Sequence, residues 1–289
     1  MSRRTFFIVQ LLISVGILSV SILTSTALAQ NSREATSASY RRRGDQWLAQ
    51  RDYERAIEDY SLALVFDPNN ANTYYNRGIA RYDMGDFPGA IVDYNRALMI
   101  NPQSANAFYN RGLARKASGD LEGAIFDFDQ ALELKPKLVS AYNNRGVARK
   151  GRGDLDGAIA DFDQALKLNP HLAEAYNNRG NVKLSTKEFA GAIADYDRAI
   201  KLNPNYSVAY VNRGMAKKNM ADFAGAMADY DRAVTLNPDL LEAYLQRGLL
   251  NLSQGRRSEA QRDFDRCVNL NPDAKRLIEQ RIRHPAPRA

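Results

Sequence analysis

At 289 residues the chain has room for two ordinary domains. Its formal charge is +7, but Arg3, Arg4 and the cations after Ala274 carry nearly all of it. The body between them is almost balanced and lacks the concentrated basic stripe that a nucleic-acid groove needs. A single cysteine, Cys267, excludes an internal disulfide.

In chain order, residues 1–29 come first. Arg3 and Arg4 precede the apolar run Phe6–Leu23, and Ala27-Leu28-Ala29 stands before Gln30, which is the three-part plan of an export signal. Cleavage is expected after Ala29, placing the mature protein outside a bacterial cytoplasm, in the periplasm or beyond. Ser2 to Phe7 also resembles the twin-arginine export motif, with Ile8 where that motif often has lysine. The general secretory route is the favoured reading and the twin-arginine route the alternative. The run is close to the shortest length that spans a bilayer, roughly 17 residues, so an uncleaved anchor is the one arrangement in which the membrane is a partner. Residues 30–36 read as a linker.

From Ser37 to Ala274 a 34-residue block recurs seven times without insertion or deletion: 37–70, 71–104, 105–138, 139–172, 173–206, 207–240 and 241–274. Within each block, position 4 is aromatic, position 8 is glycine, position 20 is alanine, position 24 is tyrosine or phenylalanine, and position 32 is proline. Small and apolar residues recur at three- and four-residue spacing in two runs, broken near position 15 by Gly85, Gly119, Gly153 or Gly255. Each block therefore predicts a helical hairpin. Asp52, Asp86, Asp120, Asp154 and Asp222 at position 16 suit the N-cap of the second helix, and the proline at position 32 stops it. Gly at 8 and Ala at 20 leave out bulk so that helices approach closely, while the rings at 4 and 24 fill the space between hairpins. A hairpin cannot hide its own apolar face, so neighbours must stack into one array. Residues 275–284, with Leu277, Ile278 and Ile282, predict a helix that covers the last hairpin; 285–289 is a tail after Pro285.

These positions closely resemble the tetratricopeptide repeat family. The resemblance implies an all-α fold, a right-handed superhelical solenoid of antiparallel helix pairs with a C-terminal capping helix, acting as a scaffold for protein binding.

Three columns carry the chemistry. Arginine stands at position 7 of every block and aspartate at position 23. In a hairpin turning near position 15, residues whose positions add to 30 lie at one height, so Arg77 faces Asp93, Arg111 faces Asp127, Arg145 faces Asp161, Arg179 faces Asp195 and Arg213 faces Asp229. We read these as structural ion pairs that set hairpin register. The basic column at position 11 (Arg81, Arg115, Arg149, Lys183, Lys217) reads as a solvated face or as partners for nearby aspartates. Asparagine fills position 6 in five consecutive blocks: Asn76, Asn110, Asn144, Asn178 and Asn212. In the family, positions 2, 6, 9 and 13 line the concave groove, and an amide both donates and accepts, so the column can pair with the main chain of an extended peptide. It is similar to the asparagine ladder in the peptide-binding arm of the O-linked N-acetylglucosamine transferase. Tyr75 and Tyr109 beside it, with Ile79, Leu113, Val147, Met215 and Leu249, offer apolar pockets. The alternative is that these asparagines are solvated or bond neighbouring backbone. The chaperone-tail clamp of some family members needs lysine at positions 2 and 5, and that combination is absent.

Signals for catalysis are weak. The two histidines, His171 and His284, stand beside no nucleophile, and Cys267 takes a small packed position. No phosphate loop or metal-ligand spacing occurs, so no enzyme activity, cofactor or metal is expected. The expected partner is a protein or peptide held in the groove, and nucleic acid is not. The alternative is a non-catalytic accessory subunit of an envelope or carbohydrate-processing enzyme complex. Edman sequencing of the exported form is expected to start at Gln30; an intact Met1 in the membrane fraction would contradict cleavage.

Overall fold

The computed structural model describes residues 30–283, so the leader and the tail expected at the two ends lie outside the described residues. Helices run in antiparallel pairs, and no strand occurs among the described residues. The described chain forms two compact units that divide between Pro136 and Lys137. The sequence predicts one continuous array. Because each repeat touches mainly its neighbours, a connection between repeats is where such an array divides most readily.

The first unit holds three hairpins. Their helices are α1 (residues 30–49), α2 (Tyr53–Phe66), α3 (Ala71–Asp83), α4 (Phe87–Ile100), α5 (Ala105–Ala117) and α6 (Leu121–Leu134). Residues 30–36, expected as a linker, are helical and continuous with the first repeat helix. No glycine or proline interrupts them, and alanine, arginine and glutamate favour helix. The second unit holds four hairpins: α7 (Val139–Gly151), α8 (Leu155–Leu168), α9 (Ala173–Ser185), α10 (Phe189–Leu202), α11 (Ser207–Asn219), α12 (Phe223–Leu236), α13 (Leu241–Ser253) and α14 (Arg257–Leu270). The helix α15 (Ala274–Arg283) follows and packs on α14.

Local chemistry sets the helix ends. The carboxylates of Asp52, Asp86, Asp120, Asp154 and Asp222 accept the backbone N–H three residues on, capping α2, α4, α6, α8 and α12. The hairpin turn requires a left-handed residue. Gly85, Gly119, Gly153 and Gly255 supply it at φ of 77° to 87°, whereas Arg51, Lys187 and Ala221 adopt it as non-glycines.

Packing repeats with the sequence. In the hairpin of α9 and α10, a Cβ on Gly180 would lie 2.7 Å from Cε1 of Tyr196, so this ring lies directly against the glycine backbone. Tyr196 joins Ala192 and the next repeat's Ala216 in one buried cluster. Tyr60, Ala56 and Ala80 do the same in the first unit, and Phe162, Ala158 and Val182 in the second. Each such ring contributes about 1.5–3 kcal/mol by leaving water. At the C-terminus Ile278 is buried with Leu245, Phe264 and Cys267, and Leu277 packs at the edge of that cluster. Ile282, expected to help cover the last hairpin, is 45% exposed, because α15 meets the array only along its first two turns.

Within each unit the first helices of successive repeats touch (α3 with α5, α7 with α9, α9 with α11, α11 with α13), while second helices make no comparable contact. The first helices therefore crowd one side, and their free stripe is the inner face.

Replacing Gly180 by alanine forces the Tyr196 ring off its seat and is expected to lower stability by about 1–3 kcal/mol. Gly191→Ala, which meets only the flexible Lys183 side chain, is expected to change it little. Urea unfolding of the two variants checks the difference; equal midpoints would show that the glycine contact is not limiting.

Candidate functional site

The charge columns are consumed inside the protein. Nη2 of Arg77 meets Asp93 at 2.7 Å, Arg111 meets Asp127 at 2.6 Å, and Arg145, Arg179 and Arg213 meet Asp161, Asp195 and Asp229 at 2.5 Å. The Nε of each arginine also donates to the same carboxylate, making a forked pair. The position-11 cations close on these carboxylates too. Arg81 lies 2.8 Å from Asp93, Arg115 2.9 Å from Asp127, Arg149 2.9 Å from Asp161, and Lys183 and Lys217 2.8 Å from Asp195 and Asp229. Each of these aspartates is buried. Burial pushes the Asp127 carboxyl up, while its hydrogen bond with Arg111 and the charges of Arg111 and Arg115 pull it down.

The remaining guanidinium nitrogen reaches backwards. Arg77 Nη1 donates to Ser61, Arg111 to Asn95, Arg179 to Asp163, Arg213 to Asp197 and Arg247 to Asp231, at 2.5–2.9 Å. The same guanidinium lies over the position-4 ring, 5.6 Å from Tyr74 for Arg77 and 5.3 Å from Tyr210 for Arg213. Its hydrogen bond with Asp195 holds Arg179 protonated more firmly than a free guanidinium. These backward contacts escape a reading based on hairpin height alone. Their signal is the polar residue at position 25 in Ser61, Asn95, Asp163, Asp197 and Asp231.

The amide column lies half-buried on the inner face of each unit. In the first unit Asn76 Nδ2 donates to Asp45 at 3.0 Å and Asn110 Nδ2 to the Tyr75 hydroxyl at 3.0 Å. In the second, Asn144 Nδ2 donates to the Ser140 carbonyl, Asn178 to Asn143 Oδ1 at 3.1 Å and Asn212 to Asn177 Oδ1 at 2.9 Å. Asn76, Asn110, Asn178 and Asn212 thus stitch each repeat to the one before it through their NH₂ groups, while Asn144 bonds its own helix. The Oδ1 atoms of Asn178 and Asn212 accept no hydrogen bond among the described residues.

The apolar residues beside the column are partly withdrawn. Tyr75 and Ile79 pack against buried Tyr94, and Tyr109 lies 5.8 Å from Phe128. Val147, Met215 and Leu249 likewise lean on the core. What distinguishes the second unit is amide density, since Asn143, Asn177 and Asn181 stand at positions 5 and 9 beside the column.

Cys267 is buried, its Sγ 3.6 Å from the Leu241 carbonyl, and burial pushes its thiol up to about 11. His171 is exposed in a connection. Among the described residues no group of three or more His, Cys, Asp or Glu is placed to hold a metal, and no helix is long and apolar enough to cross a membrane.

Family models for tetratricopeptide repeats match almost the whole described chain, at 44–85, 80–119, 112–151, 149–186, 173–206, 207–240 and 241–274. The chain belongs to the tetratricopeptide repeat family. This is a scaffold fold typical of protein–protein interaction, and its members are generally non-catalytic. No curated protein matches the chain. Among solved structures it is similar to a tetratricopeptide repeat protein from Parabacteroides merdae ATCC 43184, with 21% identity and a TM-score of 0.72 over 86% of this chain and 98% of that one. MamA is 27% identical over 57% of this chain and 96% of its own, with a TM-score of 0.50. YrrB, described as a TPR protein with an unusual peptide-binding site, is 21% identical over 66% of this chain and 97% of its own, with a TM-score of 0.50.

Replacing Arg213 by leucine leaves buried Asp229 with Lys217 alone and cuts the bond to Asp197. The expected loss is about 1–3 kcal/mol of stability in urea unfolding, with partner binding retained in the folded variant. Binding lost while stability is kept would reassign the column to ligand contact.

Proposed function

We propose that the chain is a non-catalytic adaptor that holds an extended segment of a protein partner against its inner face. The observation that carries this is the amide column, in which the NH₂ groups of Asn178 and Asn212 are anchored by the preceding repeat while their acceptor oxygens are unengaged. An oxygen fixed in this way suits the N–H groups of a peptide main chain, whose spacing does not depend on its sequence. The columns of charge add no competing site, because their cations and carboxylates already bind one another. Asn76 and Asn110 with Tyr75 and Tyr109 offer a more aromatic stretch in the first unit, and Asn144, Asn178 and Asn212 an amide-rich one in the second. YrrB provides the precedent of a peptide-binding site on the same fold. The composition of residues 1–29 leads us to place this adaptor outside the cytoplasm, the leader having been removed.

Replacing Asn178 and Asn212 together by alanine is expected to weaken capture of an envelope protein about 5-fold or more, from two hydrogen bonds of about 0.5–1.5 kcal/mol each. Helicity should be kept. Unchanged affinity would remove the column from the binding surface.

A further inference from the structure

Two hairpins show where the hydroxyl of a position-24 tyrosine goes. In the first, the Tyr60 hydroxyl donates to Asp45 Oδ1 at 2.7 Å, and in the fifth the Tyr196 hydroxyl donates to Asn181 Oδ1 at 2.8 Å. Asp45 and Asn181 both stand at position 9 of the facing helix. Where position 9 is Leu113, Val147 or Leu249, position 24 is phenylalanine, and no hydroxyl is left in need of an acceptor. Two hairpins break this rule: Tyr94 stands opposite Ile79, and Tyr230 opposite Met215. In the second of these the hydroxyl is orphaned. Tyr230 is 0% exposed, and its hydroxyl has no hydrogen-bond partner among the described residues.

Met215 holds the acceptor's position without its chemistry. It is half-buried on the inner stripe of α11 and packs against the cluster that contains Tyr230. Its Sδ stands the same number of bonds from Cα as Oδ1 of Asn181, so sulfur replaces the oxygen that bonds Tyr196 in the preceding hairpin. A thioether is a weak acceptor, and it makes no hydrogen bond with Tyr230. The ring cannot turn its hydroxyl elsewhere, because it lies against the backbone of Gly214, where a Cβ would be 2.6 Å from Cε1 of Tyr230.

We propose that Met215 is an oxidation site whose sulfoxide completes the sixth hairpin. Hydrogen peroxide transfers one oxygen to the Sδ lone pair: the S–O bond forms as the O–O bond breaks, sulfur loses two electrons, and the peroxide is reduced and leaves as water. The new oxygen is a strong acceptor one bond beyond Sδ, and the Tyr230 hydroxyl donates to it. A sulfoxide in a core ordinarily disrupts packing. Here the sign is reversed, because the oxygen is added at a half-buried edge and pairs a hydroxyl that is otherwise desolvated with nothing in return. Methionine sulfoxide reductases reverse the reaction, which makes Met215 a reversible mark on the inner face of the second unit.

The test uses the full chain with Met84, Met99, Met220 and Met227 replaced by leucine, so that Met215 is the one methionine after Met1. Hydrogen peroxide is added, the gain of one oxygen at Met215 is followed by mass spectrometry, and hydrogen exchange of α11 and α12 is compared before and after. Exchange is expected to slow about 3- to 10-fold, as one added hydrogen bond implies, with α7 and α8 unchanged. It should recover when a methionine sulfoxide reductase with dithiothreitol removes the oxygen. In a Tyr230→Phe chain, with the phenylalanine that three other hairpins carry at this position, Met215 should oxidise as readily and exchange should not slow. Met215→Gln, whose Oε1 stands as many bonds from Cα as a sulfoxide oxygen, should slow exchange with no peroxide present. Exchange that is unchanged or faster once Met215 is oxidised would overturn the proposal. So would slowing that persists in the Tyr230→Phe chain, or a Met215 that peroxide leaves unoxidised in the folded protein.

Discussion

A carboxylate buried in the middle of every second helix is the constraint on which the rest depends. An aspartate with almost no contact with water is tolerated only where cations and hydrogen bonds replace the lost solvation. Position 7 supplies a forked arginine and position 11 a further donor, so the two helices of a hairpin can meet in only one register. The arginine then has one nitrogen left, and it extends the constraint to the preceding repeat through position 25. One side chain thus fixes register within a hairpin and between hairpins. Replacing the network by apolar residues would be nearly neutral in energy, whereas breaking it in the middle would not. Its contribution is specificity of stacking more than raw stability.

This arrangement also decides what is left for recognition. A chain with 25% charged residues would ordinarily present charge to its partners. Here the repeated arginines and aspartates face one another, and the inner face is left with amides and scattered apolar edges. Main-chain pairing through amide oxygens is tolerant of sequence. Such a surface reads the path of a main chain more than its composition.

Much of this is legible from the residues. The 34-residue period defines the hairpins, the position-16 aspartates mark where second helices begin, and the rule that facing positions add to 30 pairs the arginine at position 7 with the aspartate at position 23. Other features depend on distances between repeats that periodicity does not encode. The backward reach of Arg179 to Asp163 is one, and the stitching of Asn178 to Asn143 is another. Residues 30–36 read as a linker because the repeat pattern starts at Ser37, although nothing in them breaks a helix. Apolar spacing places Ile282 in the cap, but α15 runs past the surface it covers. In the sequence Lys218 is one more lysine near a helix end, and its bond to Gln246 of the next repeat arises only when the two hairpins stack.

The most direct test of the account is where a partner touches the array. A photo-crosslinking residue placed at Val208, on the inner stripe of α11, should yield adducts with a captured envelope protein, and the same residue at exposed Ala194 on α10 should not. Adducts at Ala194 and none at Val208 would contradict it, because the partner would then sit on the outer helices and the amide column would serve only to hold the repeats together.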